Sequence, residues 1–72
     1  MREYYFLLGS VTTAIRGETV LKKLGYKAYV RKDSSINPHG CGYVIRVFGD
    51  KETLEGVFRR NGIRYYEVKE AI

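Results

Sequence analysis

The only Cys, the only His and the only Pro of this chain fall within four positions, in Pro38-His39-Gly40-Cys41-Gly42. Glycine on both sides leaves the Cys41 sulfur little steric cover and lets the local backbone adopt φ > 0. A thiol held that way can reach another molecule. Nucleophilic or carrier use needs the thiolate, which nearby positive charge favours. His39 lies two residues from Cys41, and Arg31 and Lys32 end the preceding apolar-alternating stretch. His39 could serve as a base; the groups placed to orient it are Asp33 and Asn37. Ser34, Ser35 and Asn37 could also donate hydrogen bonds to an anion beside the loop. Each has a plainer alternative: a lone cysteine is often a packing residue, a loop histidine is often idle, and Ser and Asn are ordinary turn formers.

Other chemistries have no support. The glycine-rich stretch lacks the GxGxxG spacing and precedes a strand instead of a helix, so it is no phosphate loop. One Cys forms no internal disulfide, and one Cys with one His cannot complete a four-ligand structural zinc site within a monomer. No paired-carboxylate or Ser-His-Asp constellation stands out, and no cofactor is expected. A carrier or binding protein therefore fits better than a stand-alone enzyme.

The elements that would position this loop follow from periodicity. Glu3 to Gly9 is apolar almost throughout, as a central strand would be. Ser10 is a good N-cap. Val11, Ala14, Leu21 and Leu24 then share a helical face, with Gly17 beside it marking close approach of helix to sheet, and Gly25 is a natural stop. Tyr26 to Lys32 alternates as a strand, residues 33 to 42 form a loop, and Tyr43 to Phe48 is the clearest strand. Asp50 caps a second helix with Leu54, Val57 and Phe58 on one face and Gly62 at its end; Ile63 to Lys69 is the last strand. An internal echo supports this order. Leu21-Lys-Lys-Leu-Gly-Tyr-Lys-Ala-Tyr and Phe58-Arg-Arg-Asn-Gly-Ile-Arg-Tyr-Tyr share a pattern of apolar, two basic, variable, Gly, apolar, basic, variable, Tyr. Two βαβ halves related in this way mark the ferredoxin-like βαββαβ sandwich, an α+β fold with a four-stranded antiparallel sheet and both helices on one face. The 72 residues are expected to make one such domain, residues 1–72.

Strand parity predicts what the other face carries. Tyr43, Ile45 and Val47 turn to the helices, leaving Val44, Arg46 and Phe48 outside. Ala28 and Val30 turn in, leaving Lys27, Tyr29 and Arg31 outside. On the last strand Tyr66 and Val68 are assigned inward, and Ile63, Tyr65 and Glu67 outward. The candidate binding face is therefore Lys27, Tyr29, Arg31 and Arg46, basic and aromatic, and too apolar to stay uncovered. A second subunit, a protein partner or RNA would cover it. Thirteen Lys and Arg against eight Asp and Glu, a net charge of +5, favour an anionic partner; the same charge also serves plain solubility. Gly40 to Arg46 partly echoes the RNA-recognition signature, but keeping Arg46 outward turns Tyr43 inward, where it cannot stack a base. No export signal or membrane-length apolar run is visible, and with an unpaired Cys this predicts a cytoplasmic protein.

With these residues in view, the chain resembles the small selenium/sulfur carrier protein-like family. The likeness runs from an apolar strand ending in Ser10, through a helix with Ala14-Ile15-x-x-Glu18 and a closing Leu24-Gly25, to Cys41-Gly42 before a strand, a short helix and a final strand. The resemblance implies a single-domain protein whose Cys41 carries a persulfide or selenium, with Gly42 as its structural support, exchanging cargo with protein donors and acceptors. The loop departs from the family pattern: Ser34 and Ser35 lie further back, with Pro38-His39-Gly40 between them and the Cys, and Thr12 and Thr13 open the helix where polar or acidic residues are common. Two other functions stay open: a non-catalytic RNA- or protein-binding module using the open sheet face, and a small-ligand sensor built as a sheet-paired dimer.

Overall fold

A computed structural model describes residues 2–38 and 42–71. The elements follow in the expected order: β1 (Arg2–Leu8), α1 (Val11–Lys23), β2 (Ala28–Lys32), β3 (Tyr43–Gly49), α2 (Lys51–Arg60) and β4 (Glu67–Glu70). Among the described residues the strands form one sheet of order β2-β3-β1-β4, and every neighbouring pair is antiparallel. Both helices supply side chains to one apolar cluster on one face of it: Ala14 and Leu21 from α1, and Leu54, Val57 and Phe58 from α2, against Phe6, Leu8, Ala28, Ile45 and Val47 from the strands. The chain is thus an α+β protein of ferredoxin-like architecture.

Helix boundaries are set by local hydrogen bonding. Ser10 stays extended and its hydroxyl accepts from the Thr13 N–H at 3.2 Å; Asp50 does the same for Thr53 at 3.2 Å. Such caps satisfy helix N–H groups that have no intrahelical partner. Both helices end in the same way. The Tyr26 N–H donates to Leu21 O at 3.0 Å and the Gly25 N–H to Lys22 O at 3.1 Å; the Ile63 N–H donates to Phe58 O at 2.9 Å and the Gly62 N–H to Arg59 O at 3.2 Å. These are two Schellman motifs, and both glycines take the left-handed backbone the motif needs, φ +91° at Gly25 and +66° at Gly62. The internal sequence echo is the record of this paired ending: a buried apolar residue three places before the cap, two basic residues that favour the helix dipole, then Gly and an apolar closing residue.

The same motif explains where the strands differ from expectation. Because Tyr26 and Ile63 close the helix ends, β2 begins only at Ala28 and β4 only at Glu67. The segment from Ile63 to Tyr66 is irregular, so the two-residue alternation does not extend back through it. Ile63 and Tyr65 turn inward, not outward: Ile63 is buried and Tyr65 packs on the core. Tyr66 turns outward, not inward, and is 58% exposed, while Val68 packs inward as predicted. On the face assigned to α1, Ala14, Gly17 and Leu21 are buried, but Val11 at the first helical position and Leu24 at the C-cap are exposed, because the two ends of the helix leave the core that its middle covers. A Cβ on Gly17 would stand 2.7 Å from the Ile45 side chain, the predicted close approach.

The centre of the core is aromatic. The Phe6 and Phe58 rings stack with centroids 4.1 Å apart, and the Tyr65 ring stands edge-on to both, at 4.9 and 5.4 Å. The Tyr65 hydroxyl donates to Glu55 Oε2 at 3.0 Å. Burial, and then the bond to Glu55, raise the Tyr65 pKa above the usual phenol value. A raised folded-state pKa contributes stability below the unfolded value that is lost as pH climbs through the folded one. Phe58→Ala should cost about 3–5 kcal/mol, as loss of a buried aromatic ring does. Gly25→Ala should cost only about 1–2 kcal/mol, because the strained φ is its sole penalty, with nothing within 4 Å of the added Cβ. Urea unfolding of the two variants measures both.

Candidate functional site

Cys41, His39 and Gly40 lie outside the described residues. The site is therefore defined by what frames it: residues 33 to 38 on one side and Gly42 on the other. Lys32 pairs with Tyr43, the last step of the β2–β3 ladder. Beyond it the Asp33 N–H donates to Gly42 O at 2.8 Å and closes the base of the loop. Gly42 takes φ +75°, and a Cβ there would meet Asn37 O at 3.3 Å and Ser34 Cα at 3.4 Å. The Gly of the Cys-Gly pair is thus demanded by the backbone it occupies.

Asp33 organises the first half of the loop. Its Oδ1 accepts from the Ser35 N–H at 3.1 Å and the Ser35 hydroxyl at 2.5 Å. Its carbonyl accepts from the Ile36 and Asn37 N–H groups at 3.1 and 2.9 Å. The Ser35 hydroxyl is the main reason that the Asp33 pKa lies below the ordinary carboxylate value; backbone bonds and the Arg31 guanidinium, 4.0 Å away, act in the same direction, against desolvation. The polar side chains that a ligand was expected to use are therefore partly engaged within the turn itself.

Asn37 is the residue that sequence reasoning underrated. It is fully buried, and its amide Nδ2 donates to Leu8 O at 2.8 Å and to Tyr43 O at 2.7 Å. Both amide protons are used to tie the loop to the adjoining ends of β1 and β3, so they are not donors for a bound anion. Lys69 on β4 adds a bond to Ile36 O at 3.2 Å. The loop is thus held on the outward face of the sheet. Leu7 and Val44, directly paired across β1 and β3 and lying outside the helix-side core, are fully buried there. In the sequence nothing distinguishes Asn37 from any loop asparagine; only the fold places its amide between two strand ends.

The open face is accordingly smaller than four bare strands would leave. Parity holds for its key residues: Tyr29 lies opposite Arg46, and Arg46 opposite Tyr5. Tyr29 and Phe48 are 53% and 42% exposed. Lys27 precedes β2 at one end of this row and Arg31 lies on β2 opposite Val44. Arg46 does not stand unpaired. Its guanidinium donates through Nε and Nη2 to the two carboxylate oxygens of Glu3, the second bond at 3.0 Å, and Glu3 raises its pKa further. The candidate binding residues share one face at the β2 side of the sheet, but the Arg46 charge there is already answered by Glu3.

An additional cleft of about 400 Å³ lies where β1 runs into α1, lined by Gly9, Ser10, Thr13, Arg64, Tyr65 and Tyr66. It is at the same end of the sheet as Gly42, because Leu8 pairs with Tyr43. Among the described residues, no cluster of three or more His, Cys, Asp or Glu side chains could hold a metal ion, and no helix is long and apolar enough to cross a membrane.

Comparison with protein families decides the assignment. Residues 3–70 match the family described as "Putative Se/S carrier protein-like". The chain belongs to that family. The match takes in both helices, the last three strands, β1 from its second residue and the whole sequence of the Cys41 loop, and so agrees with the resemblance carried by Cys41-Gly42 and the flanking elements. No curated protein and no solved structure matches the chain.

Because Asn37 serves two buried strand-end carbonyls, Asn37→Ala should destabilise the protein by about 1–3 kcal/mol. Asn37→Asp should cost at least as much at neutral pH, since a carboxylate cannot donate to either carbonyl. Hydrogen exchange should show the loss first in residues 33 to 38. In the wild type the Asp33 contribution is present above the usual carboxylate pKa and is lost as pH falls through its depressed folded value, so protection of the turn amides, measured relative to their intrinsic exchange rates, should fall in acid.

Proposed function

We propose that this protein carries sulfur or selenium as a covalent adduct of Cys41. The observation that carries the reading is the family match across residues 3–70, in a chain whose sole thiol is Cys41. The framing geometry supports it. A loop closed at its base by the Asp33–Gly42 bond and tied down by Asn37 gives the Gly40-Cys41-Gly42 stretch fixed anchors on both sides. In the transfer step the Cys41 thiolate attacks the terminal sulfur of a donor protein's persulfide. A new Cys41 Sγ–S bond forms, the donor's S–S bond breaks, and the electron pair leaves with the donor cysteine as its thiolate. The cargo sulfur keeps its oxidation state, so no external oxidant or reductant enters. The reverse attack by an acceptor thiol unloads it. Arg31, 4.0 Å from the Asp33 carboxylate at the start of the loop, adds positive charge that would favour the thiolate, and the net positive charge would draw an acidic partner surface. His39, two residues from Cys41 in the sequence, would serve as the base that deprotonates the thiol.

Incubation with a cysteine desulfurase and cysteine, followed by intact-mass and peptide mass spectrometry, is expected to show one added sulfur on Cys41 and none on Cys41→Ser. An unmodified Cys41, beside a control carrier that is labelled, overturns the proposal. The pH dependence of Cys41 alkylation should place its pKa below that of an ordinary thiol, and His39→Ala should raise it.

A second reading rests on the exposed Tyr29 and Phe48 beside the Arg46–Glu3 pair. It makes the open face the docking surface of a binding module. With the Arg46 charge already answered by Glu3, aromatic contact with a protein suits this face better than phosphate binding to RNA. In that case Tyr29→Ala and Arg46→Glu abolish complex formation while Cys41→Ser leaves it intact. Strong salt dependence of RNA binding that is unaffected at Cys41 would favour RNA instead.

A further inference from the structure

The two edges of the sheet are finished differently. In an antiparallel ladder alternate residues point their N–H and C=O groups to either side. The bonds from Phe48 N to Lys27 O and from Asp33 N to Gly42 O turn the odd-numbered residues of β2 toward β3. Ala28, Val30 and Lys32 therefore point their backbone groups outward. At the middle of that edge the Glu18 carboxylate of α1 reaches over and accepts the Val30 N–H at 3.0 Å, and Lys22 stands 3.6 Å from the same carboxylate. An added strand would have to displace a charged, already bonded side chain. This is a protected edge.

On the opposite edge, the bond from Ala71 N to Glu3 O turns Glu67 and Lys69 toward β1. Val68 and Glu70 then point their backbone groups away from the sheet, and no described side chain takes the Val68 N–H as Glu18 takes that of Val30. Glu67, Lys69 and Glu70 are all exposed.

We propose that β4 is the assembly edge of the sheet, and that its occupant is a second copy of this chain, joined antiparallel about a two-fold axis through Val68. The charge order of Glu67-Val68-Lys69-Glu70 selects both partner and register. With Val68 opposite its counterpart, the two valines exchange their outward backbone bonds. Glu67 of each copy then stands directly across from Lys69 of the other, on the face away from the helices. Those two flanking pairs occupy the non-hydrogen-bonded positions, where facing side chains approach most closely. A shift of the axis to Lys69 sets lysine against lysine, and a shift to Glu70 sets glutamate against glutamate, both unfavourable. One register alone is self-complementary. The joined sheets run continuously through eight strands.

This proposal does not depend on sulfur transfer. Sedimentation velocity over a concentration series into the millimolar range tests it on the full chain. A concentration-dependent dimer is expected. Glu67→Lys or Lys69→Glu alone should weaken it by about tenfold or more, since two attractions become two repulsions, and the combined Glu67→Lys, Lys69→Glu exchange should restore it. Within its own chain Lys69 also bonds Ile36 O and stands 3.9 Å from Glu67, so Glu67→Lys, which keeps the Lys69 donor of the loop contact, is the cleaner single variant, and its circular dichroism and loop hydrogen exchange are compared with the wild type. Glu70→Pro removes an outward N–H that the fold does not use and should weaken the dimer with the far-ultraviolet circular dichroism unchanged. A monomer at every concentration, a dimer indifferent to Glu67→Lys, or a folded double exchange that stays monomeric overturns the proposal.

Discussion

Seven consecutive pairs join β1 to β3, from Arg2 with Gly49 to Leu8 with Tyr43. Every other placement in the molecule depends on that register. It puts Phe6, Leu8, Ile45 and Val47 on the helix side and Leu7, Val44, Arg46 and Tyr5 on the other. A slip of one residue would exchange the two sets, burying the arginine under the helices and exposing the core. It also places the Leu8 and Tyr43 carbonyls side by side at one end of the sheet, where a single asparagine amide bonds both. The loop that holds the thiol is therefore anchored by the central ladder as well as by the local bonds that Asp33 makes within it.

The fold was legible because its local signals agree with one another. Ser10 and Asp50 cap helices, and Gly25 and Gly62 end them, through interactions spanning at most five residues. The alternation of Tyr43 to Phe48 is undisturbed, so its parity could be read directly. Legibility failed where one local requirement overrode another. Ile63 closes a Schellman motif, and this fixes the chain before β4 can begin; Tyr65 and Tyr66 then follow the course of the connector and not the two-residue period. Alternation alone puts each of the three on the wrong side.

The site was legible in its residue types and not in its support. Cys41, Gly42 and the resemblance they carry could be read directly. Asn37 could not, because its role depends on two carbonyls twenty-nine residues and six residues away in the chain. Glu18 is a similar case. At helical spacing from Lys22 it reads as a solvated ion-pair partner, worth a few tenths of a kcal/mol. Its contact with the Val30 backbone exists only because α1 lies across the outer side of β2. Both residues bond backbone groups that regular secondary structure leaves over, and sequence periodicity carries no trace of such leftovers.

A chain of this size has little core to spare; small domains bury only about 60% of their unfolded surface. The ten-residue connection between β2 and β3 would ordinarily be a cost in order without return. Here its first half folds back on the sheet and helps to bury Leu7 and Val44, which the helices cannot reach. The connection thereby serves the second face as a partial core layer, and the stretch containing Cys41 departs from and returns to fixed points. The arrangement divides the sheet's outward surface in two. One half is occupied by the chain's own loop, and the other retains Tyr29, Phe48 and the Arg46–Glu3 pair in solvent.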